Sequence, residues 1–178
     1  MSEPLTLYVD PGMRGSGAAL FNARKQLVAA AYVKNPAREG NGPAECVAMA
    51  LALLTWAQDH ATPSALVVEW PRTYTAGKLQ GDPNDLLGLV GVGCALAGML
   101  DACTKMRRKP ARYFPDEWKG QTPKGTMNAR VRERLNEEER KRITSPPSLL
   151  HNVLDAIGIG LHDLGRLTRQ RVFPGEDD

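Results

Sequence analysis

Apolar and β-prone residues recur near the start of the chain in three short runs, which predict three successive strands. The runs cover residues 5–9, 17–21 and 27–33, and a polar stretch at residues 22–26 separates the last two. A polar stretch between two β-prone runs is typical of a hairpin turn. We therefore expect the chain to open with three antiparallel strands.

Runs with helical periodicity then alternate with two further strands. Residues 44–60 and 86 to about 106 predict helices, whereas residues 64–69 and 109–114 predict strands. Strands that alternate with helices are typical of α/β folds, in which helices cover a sheet. The order so far is β-β-β-α-β-α-β, which predicts one α/β core.

The second half of the chain is predicted to be mainly helical. Residues 114–125 indicate a short helical turn and a flexible basic loop, and residues 128–143 a charged helix. Apolar side chains at helical spacing over residues 148 to about 169 predict an amphipathic helix. A chain of 178 residues fits one domain, placed at residues 1–171, with a flexible tail at residues 172–178.

The composition is that of a soluble domain, with 42% apolar and 24% charged residues. Cys46, Cys94 and Cys103 are odd in number and lack C-x-x-C spacing, so we expect neither disulfides nor a zinc site. The longest apolar run, residues 86–100, is shorter than the ~20 residues of a membrane span and predicts a buried helix without membrane contact. No signal-peptide pattern opens the chain, and we expect a cytoplasmic location.

Basic residues are concentrated between residues 105 and 112, although the net charge is only +3. Arg107, Arg108 and Lys109 are consecutive in this cluster. Such a basic patch can bind a polyanion such as nucleic acid. The alternative is a solvated surface without a partner, so the cluster needs support from other residues.

Three carboxylates stand where ligand sites usually form in such a sheet. Asp10 and Glu69 each end a predicted strand, and Asp155 lies on the last predicted helix. Several buried acids are costly unless a cation neutralises them, and Mg²⁺ prefers carboxylate oxygens. Two such ions can activate water and stabilise a leaving oxygen on phosphate. The pattern therefore predicts metal-dependent phosphodiester hydrolysis.

Each member of this set also has an ordinary structural alternative. Asp10 can cap the following Pro-Gly turn, and Glu69 can pair with Arg72. His151 lies four residues before Asp155, hence on the same helix face, although a lone helical His is more often structural. Asn152, three residues before Asp155, is the rival ligand.

The motifs at these positions resemble those of the RuvC family of Holliday junction resolvases. The likeness lies in Tyr8-Val9-Asp10-Pro11-Gly12, Gly15-Ser16-Gly17, Val68-Glu69, the segment from Tyr113 to Lys119 with the Gly and Lys loop at 120–125, and His151 with Asp155-Ala156. The resemblance implies a ribonuclease H-like fold with a central mixed five-stranded sheet, three antiparallel strands and then parallel ones, flanked by helices. It also implies a homodimer that nicks two strands of a four-way DNA junction symmetrically, with Mg²⁺ or Mn²⁺, two ions per active site.

The resemblance also implies roles for individual residues. Asp10, Glu69 and Asp155 would bind metal, and His151 is our candidate for a fourth ligand, although the family usually places that ligand at the position of Asn152. The candidates for DNA contact are Lys119 and Lys124 near the cut, Arg72, Arg107, Arg108 and Lys109, and Tyr74, which could stack on an unpaired base. Residues 70–74 differ from the apolar stretch usual in the family, so no cleavage sequence preference is implied.

Two other functions use part of the same pattern. A DNA-binding module of this fold could have lost catalysis, but the presence of Asp10, Glu69 and Asp155 argues against that. A phosphotransferase of the actin-like ATPase type also pairs acids with phosphates at an opening strand. With 178 residues, the chain is short for the two lobes of such an enzyme.

Overall fold

A computed structural model describes residues 3–37, 40, 42–72 and 83–167. The strands are β1 (Leu5–Asp10), β2 (Gly15–Asn22), β3 (Leu27–Lys34), β4 (Ala65–Glu69), β5 (Ala111–Tyr113) and β6 (Ile143–Thr144). The helices are α1 (Pro43–Gln58), α2 (Pro83–Cys103), α3 (Pro115–Trp118), α4 (Lys124–Glu133), α5 (Glu137–Lys141) and α6 (Leu150–Asp163). The predicted tail at residues 172–178 lies outside the described residues.

The strands form one mixed sheet in the order β5-β4-β1-β2-β3-β6. β2 runs antiparallel to both β1 and β3, whereas β1, β4 and β5 are parallel. The α/β class and the order β-β-β-α-β-α-β predicted from the sequence are confirmed. The predicted count of five strands is one too low, because Ile143 and Thr144 pair in parallel with Ala30 and Ala31.

The charged segment at residues 128–143 contains a helix break that the sequence prediction missed. The Asn136 side chain accepts a hydrogen bond from the Glu139 backbone N–H at 2.9 Å, while the Glu139 carboxylate accepts one from the Asn136 N–H at 3.1 Å. This reciprocal capping box begins a new helix, α5. Lys124, expected in a loop, is the first residue of α4.

Helices cover both faces of the sheet, because successive side chains of a strand point to opposite sides. In β1, Leu7 and Val9 pack in the core under α1 and α2. Tyr8 packs in the opposite core with residues of α3, α4 and α6. The chain therefore forms three layers, with the sheet in the middle.

The helix α2 is less buried than predicted. Its Asp85–Cys103 stretch has a mean hydropathy of 1.9, yet only 28% of the apolar stretch is buried within the fold. Val92, Leu96 and Leu100 pack in the core, whereas Leu87 is 69% exposed. By length and composition alone this helix could also cross a membrane, a test that core helices of soluble proteins also pass.

Glycines allow α6 to lie directly on the sheet. A Cβ at Gly17 of β2 would collide with the Asn152 backbone carbonyl. A Cβ at Gly160 of α6 would lie 2.6 Å from the Phe21 ring. Only a residue without a side chain permits backbones to approach so closely. These contacts fix the height of α6 above the sheet.

Candidate active site

The alternation of side chains along the strands places Asp10 and Glu69 on the same face of the sheet. Asp10 lies two residues after Tyr8, and Glu69 lies two residues after Val67. Tyr8 and Val67 both pack in the core under α6, and they are neighbours in the parallel β1–β4 register. Asp10 and Glu69 therefore follow on that face at the carboxyl end of the two strands.

Asp155 reaches the same place from α6, where it is buried and only 6% exposed. Gly17, which the Asn152 carbonyl contacts, pairs with Asp10 across β1 and β2. The close approach of α6 thus occurs beside Asp10, one helical turn before Asp155. The charges of Glu69 and Asp155 both act on Asp10. The structure therefore brings together the three acids that the sequence singled out.

Three donors on the segment from α3 to α4 contact these acids. The Trp118 indole N–H donates to Glu69 Oε2 at 2.6 Å, and Lys119 Nζ lies 3.4 Å from the same oxygen. Lys124 Nζ lies 3.9 Å from Asp155 Oδ2. Because β5 runs parallel to β4, the chain leaves β5 at the same edge of the sheet. Trp118 and Lys119 therefore follow β5 directly into the acid cluster.

Burial disfavours ionisation of all three carboxylates, and neighbouring charges add to or oppose this effect. Burial, followed by repulsion from Glu69 and Asp155, raises the pKa of Asp10 well above its ordinary value. Burial also raises the pKa values of Glu69 and Asp155, although Lys119 opposes the shift of both. Burial alone would lower the pKa of Lys119, but attraction to the three carboxylates raises it. Lys119 therefore offsets the effect of burial only in part, because the pKa values of Glu69 and Asp155 remain raised.

The cluster is suited to a divalent cation by its chemistry rather than by the present positions of its side chains. Among the residues that the structure describes, no three His, Cys, Asp or Glu side chains form a set able to hold an ion as they stand. Glu69 is held by Trp118 and Lys119, and Asp155 lies near Lys124. Burial disfavours the charged form of all three carboxylates, and a hard cation bound to them would favour it.

His151 and Asn152 remain alternative candidates for a further ligand. The charge of His151 lowers the pKa of Asp155 against the effect of burial, so its imidazole is within electrostatic reach of that carboxylate. The backbone carbonyl of Asn152 faces Gly17. Neither contact decides between the two, and the assignment of His151 stays a prediction.

A cavity of about 180 Å³ opens beside Asp10 and Glu69. Its lining includes Arg72, whose guanidinium binds Asp116 at 2.6 Å and lies 5.2 Å from the centre of the Phe114 ring. The alternative pairing of Arg72 with Glu69 is therefore replaced by an ion pair with Asp116. Tyr74, the predicted stacking residue, lies outside the described residues.

The basic cluster at residues 107–109 lies at the opposite end of the strands from the acids. The Arg107 N–H donates to the carbonyl of Ser64, just before β4, and the Ser64 N–H donates to the carbonyl of Leu5 at the start of β1. Arg108 is also engaged, because its guanidinium binds Asp163 at 2.7 Å. DNA contacts by this cluster stay a prediction, and they would lie away from the acids.

Sequence reasoning missed two sets of contacts, one inside the site and one outside it. The first is Trp118, because nothing in the sequence indicates that its N–H finds Glu69, 49 positions earlier. The second is the set of hydrogen bonds that Asp163 accepts from Tyr8, Tyr113 and Arg108. A possible signal for the first was a tryptophan five residues after the end of β5, the strand whose last residue pairs with Glu69.

Comparisons with known proteins identify the fold. No protein-family model and no curated protein matches the sequence. The structure of T. thermophilus RuvC in complex with a Holliday junction substrate has a TM-score of 0.57 and 20% identity, covering 89% of this chain and 91% of that one.

Two further structures agree. Another Thermus thermophilus RuvC structure has a TM-score of 0.51 and 20% identity, covering 91% of this chain and 97% of that one. The yeast mitochondrial Holliday junction resolvase Ydc2 has a TM-score of 0.50 and 11% identity, covering 91% of this chain and 81% of that one. The chain therefore has the ribonuclease H-like fold of the RuvC-type resolvases over most of its length.

Proposed function

We propose that this protein is a divalent-metal-dependent endonuclease that resolves four-way DNA junctions. The observation that carries the proposal is the convergence of Asp10, Glu69 and Asp155 from β1, β4 and α6 on one face of the sheet. The proteins that share this fold include a RuvC bound to a Holliday junction substrate and the resolvase Ydc2. The fold and the acid cluster thus support the same substrate and the same chemistry.

The three carboxylates would hold the metal, with His151 or Asn152 as a further ligand. We propose Mg²⁺ or Mn²⁺, two ions per site, which would supply an activated water and neutralise charge on the phosphate. The charges of Glu69 and Asp155 both raise the pKa of Asp10, so Asp10 interacts electrostatically with both other acids. We therefore assign Asp10 the central position.

Lys119 and Lys124 are proposed to contact the phosphates on either side of the cut. Both ammonium groups lie within 4.0 Å of a site carboxylate, and Lys124 is 59% exposed. A cation that binds the carboxylates would repel these ammonium groups toward the incoming DNA backbone. The lysines would then bind the substrate, and shape rather than base edges would select the junction.

The proposed activity is tested with labelled four-way junction, linear duplex and single strand in Mg²⁺, Mn²⁺ or chelator. We expect symmetric nicks in the junction only, with metal, and none from Asp10→Asn. An Asp59→Asn variant is the control. Asp59 is the C-cap residue of α1 and is not among the groups that act on the site acid Asp10. Equal cutting of linear duplex would indicate a general nuclease, and binding without cutting an inert module.

A homodimer is the proposed assembly, and the face of α1 and α2 is its proposed interface. Val47, Leu51 and Leu87 are 47%, 54% and 69% exposed on these helices. An apolar cavity of about 380 Å³ lies between them, lined in part by Val47 and Leu87. Exposed apolar side chains that cluster on one face of a protein can mark an interaction surface. A second copy would cover the side of α2 that the sheet leaves bare.

Sedimentation analysis tests this interface. Leu87→Asp places a charge in the proposed contact, and we expect it to shift the protein from dimer to monomer without loss of the fold, as measured by circular dichroism. Thr62→Asp is a surface control, because Thr62 is exposed in the loop after α1. A wild-type protein that sediments as a monomer at micromolar concentration would contradict the proposal.

A further inference from the structure

The contact between Trp118 and Glu69 is the shortest that any of the three site acids makes with a side chain described here. The indole Nε1 lies 2.6 Å from Glu69 Oε2, within the range of a charge-assisted hydrogen bond. Trp118 is 2% exposed and belongs to the core under α6. A buried indole donates one hydrogen bond and accepts none. Glu69 is therefore the partner that satisfies this N–H.

The indole is held from behind by α6. A Cβ at Gly158 would lie 2.5 Å from the Trp118 ring and 3.2 Å from a Val131 methyl carbon. Gly158 lies three residues after Asp155, hence about one turn further along the same helix. One helix thus carries Asp155 and also supports the ring that holds Glu69. The positions of the two acids are coupled through this packing.

The two donors to Glu69 differ in charge. Both act on Oε2, so Oε1 accepts no hydrogen bond from the part of the chain that the structure describes. Lys119 lies 4.8 Å above the Trp118 ring while it reaches Glu69. An entering divalent cation repels the ammonium group, whereas the neutral indole has no charge to be displaced. Trp118 can therefore keep its contact when a metal replaces Lys119.

We propose that Trp118 is a positioning residue for the metal site, which holds Glu69 Oε2 through its indole N–H and leaves Oε1 for the ion. This inference rests on the proposed metal-dependent function. Hydrogen bonds to the ligands of a metal typically change metal affinity by about 10–100-fold when they are removed. The N–H, rather than the bulk of the ring, is the group that acts.

The test measures Mn²⁺ binding by calorimetry, without DNA, for the wild type, Trp118→Phe and Trp56→Phe. Phenylalanine keeps an aromatic ring in the core but lacks the N–H, so we expect an affinity about 10–100-fold weaker for Trp118→Phe. Trp56 lies on α1 beside His60, in the core on the opposite face of the sheet, and its variant should bind like the wild type. Equal affinities for Trp118→Phe and the wild type would overturn the inference.

Two further measurements separate positioning from folding. The indole N–H signals of the three tryptophans are followed by NMR in the wild-type protein, with Trp56→Phe and Trp70→Phe identifying the third as Trp118. We expect the chemical shift of this signal to change with Glu69→Gln and on addition of Mg²⁺. A chemical shift that changes in neither case contradicts the contact. In junction cleavage, excess metal should restore kcat for Trp118→Phe, with KM for DNA unchanged, whereas a folding defect would persist at every metal concentration.

The outcomes distinguish this inference from the function on which it rests. If the wild-type protein binds no Mn²⁺, it does not differ from Asp10→Asn in the binding experiment. That result contradicts the metal site and the inference together. Metal binding that depends on Asp10 but not on the Trp118 N–H contradicts the inference alone and leaves the proposed nuclease intact.

Discussion

Two aspartates on α6, Asp155 and Asp163, lie about two turns apart and experience opposite environments. Asp163 accepts hydrogen bonds from Tyr8, Tyr113 and Arg108, and these contacts lower its pKa in spite of burial. Burial raises the pKa of Asp155 although Lys119, Lys124 and His151 oppose the shift, and the charge of Asp155 in turn acts on two other carboxylates. Composition and local sequence do not separate the two residues; their partners on the sheet do.

The difference separates acids with satisfied contacts from the acids of the proposed metal site. Glu139 behaves like Asp163, because Arg166 binds it at 2.7 and 2.9 Å and the Leu27 N–H donates to it, which lowers its pKa against the effect of burial. Acids with satisfied contacts stabilise the fold. Acids whose charge is left partly uncompensated are typical of sites that bind something else. Substitutions at the two kinds of acid should therefore have opposite consequences.

The largest expected effect is the loss of junction cleavage in Asp155→Asn. On the proposed function we expect a decrease of at least about 1,000-fold, on the order of 4 kcal/mol of transition-state stabilisation, because one proposed metal ligand is lost. Asp163→Asn on the same helix is the control and should cut at nearly the wild-type rate per folded molecule. Single-turnover cleavage assays measure both. Similar losses in the two variants would break the distinction.

The next effect is on stability rather than on cleavage. Arg166→Met removes the partner of Glu139, which is buried, and leaves an uncompensated charge that costs about 3–5 kcal/mol. In a chain of this size each kcal/mol lowers Tm by about 2–4 °C. Arg24→Met should change Tm little, because the Arg24–Glu3 pair is exposed. Thermal unfolding followed by circular dichroism gives both values.

A smaller effect concerns the pH dependence of stability in chelator. The folded state raises the pKa of Asp10, so this group favours folding at low pH and loses that contribution as the pH rises through its folded pKa. Asp10→Asn should therefore increase Tm at neutral pH, and the gain should vanish toward the ordinary aspartate pKa.

Asp163→Asn supplies the opposite sign in the same experiment. Its folded pKa is lowered, so its contribution is present above the ordinary aspartate pKa and is lost as the pH falls through the folded value. This variant should lower Tm at neutral pH and approach the wild type in acid. Parallel Tm profiles for the two variants would contradict the assignment of opposite environments.

The smallest effect is expected in the basic cluster. Lys109 lies just before β5, at the opposite end of the strands from Asp10 and Glu69. Lys109→Ala should leave the cleavage rate unchanged and reduce the salt dependence of junction binding by at most about one phosphate contact. Lys119→Ala, measured alongside, should reduce cleavage itself. A cleavage defect for Lys109→Ala as large as that for Lys119→Ala would indicate that DNA contacts both ends of the strands.

The sequence by itself determined the main elements and the three acids. Alternating strands, helical periodicity and strand-terminal carboxylates are local patterns that can be recognised in the sequence. In the structure, Asp10 and Glu69 end β1 and β4, and Asp155 lies on α6. The sixth strand was not predictable, because Ile143 and Thr144 become a strand only by pairing with β3. The break between α4 and α5 was readable in principle from the capping box at Asn136, but residue propensities concealed it.

Only the tertiary structure decided which side chains meet. The Trp118 contact with Glu69, the three donors to Asp163 and the distance of the basic cluster from the acids all depend on which strands are neighbours and which way they run. Arg108 was predicted to contact DNA because it stands next to other basic residues in the sequence. In the structure its guanidinium binds Asp163 instead. The physical reason is that hydrogen bonds and charge interactions act over a few ångströms in space, while the chain brings residues more than a hundred positions apart to that distance.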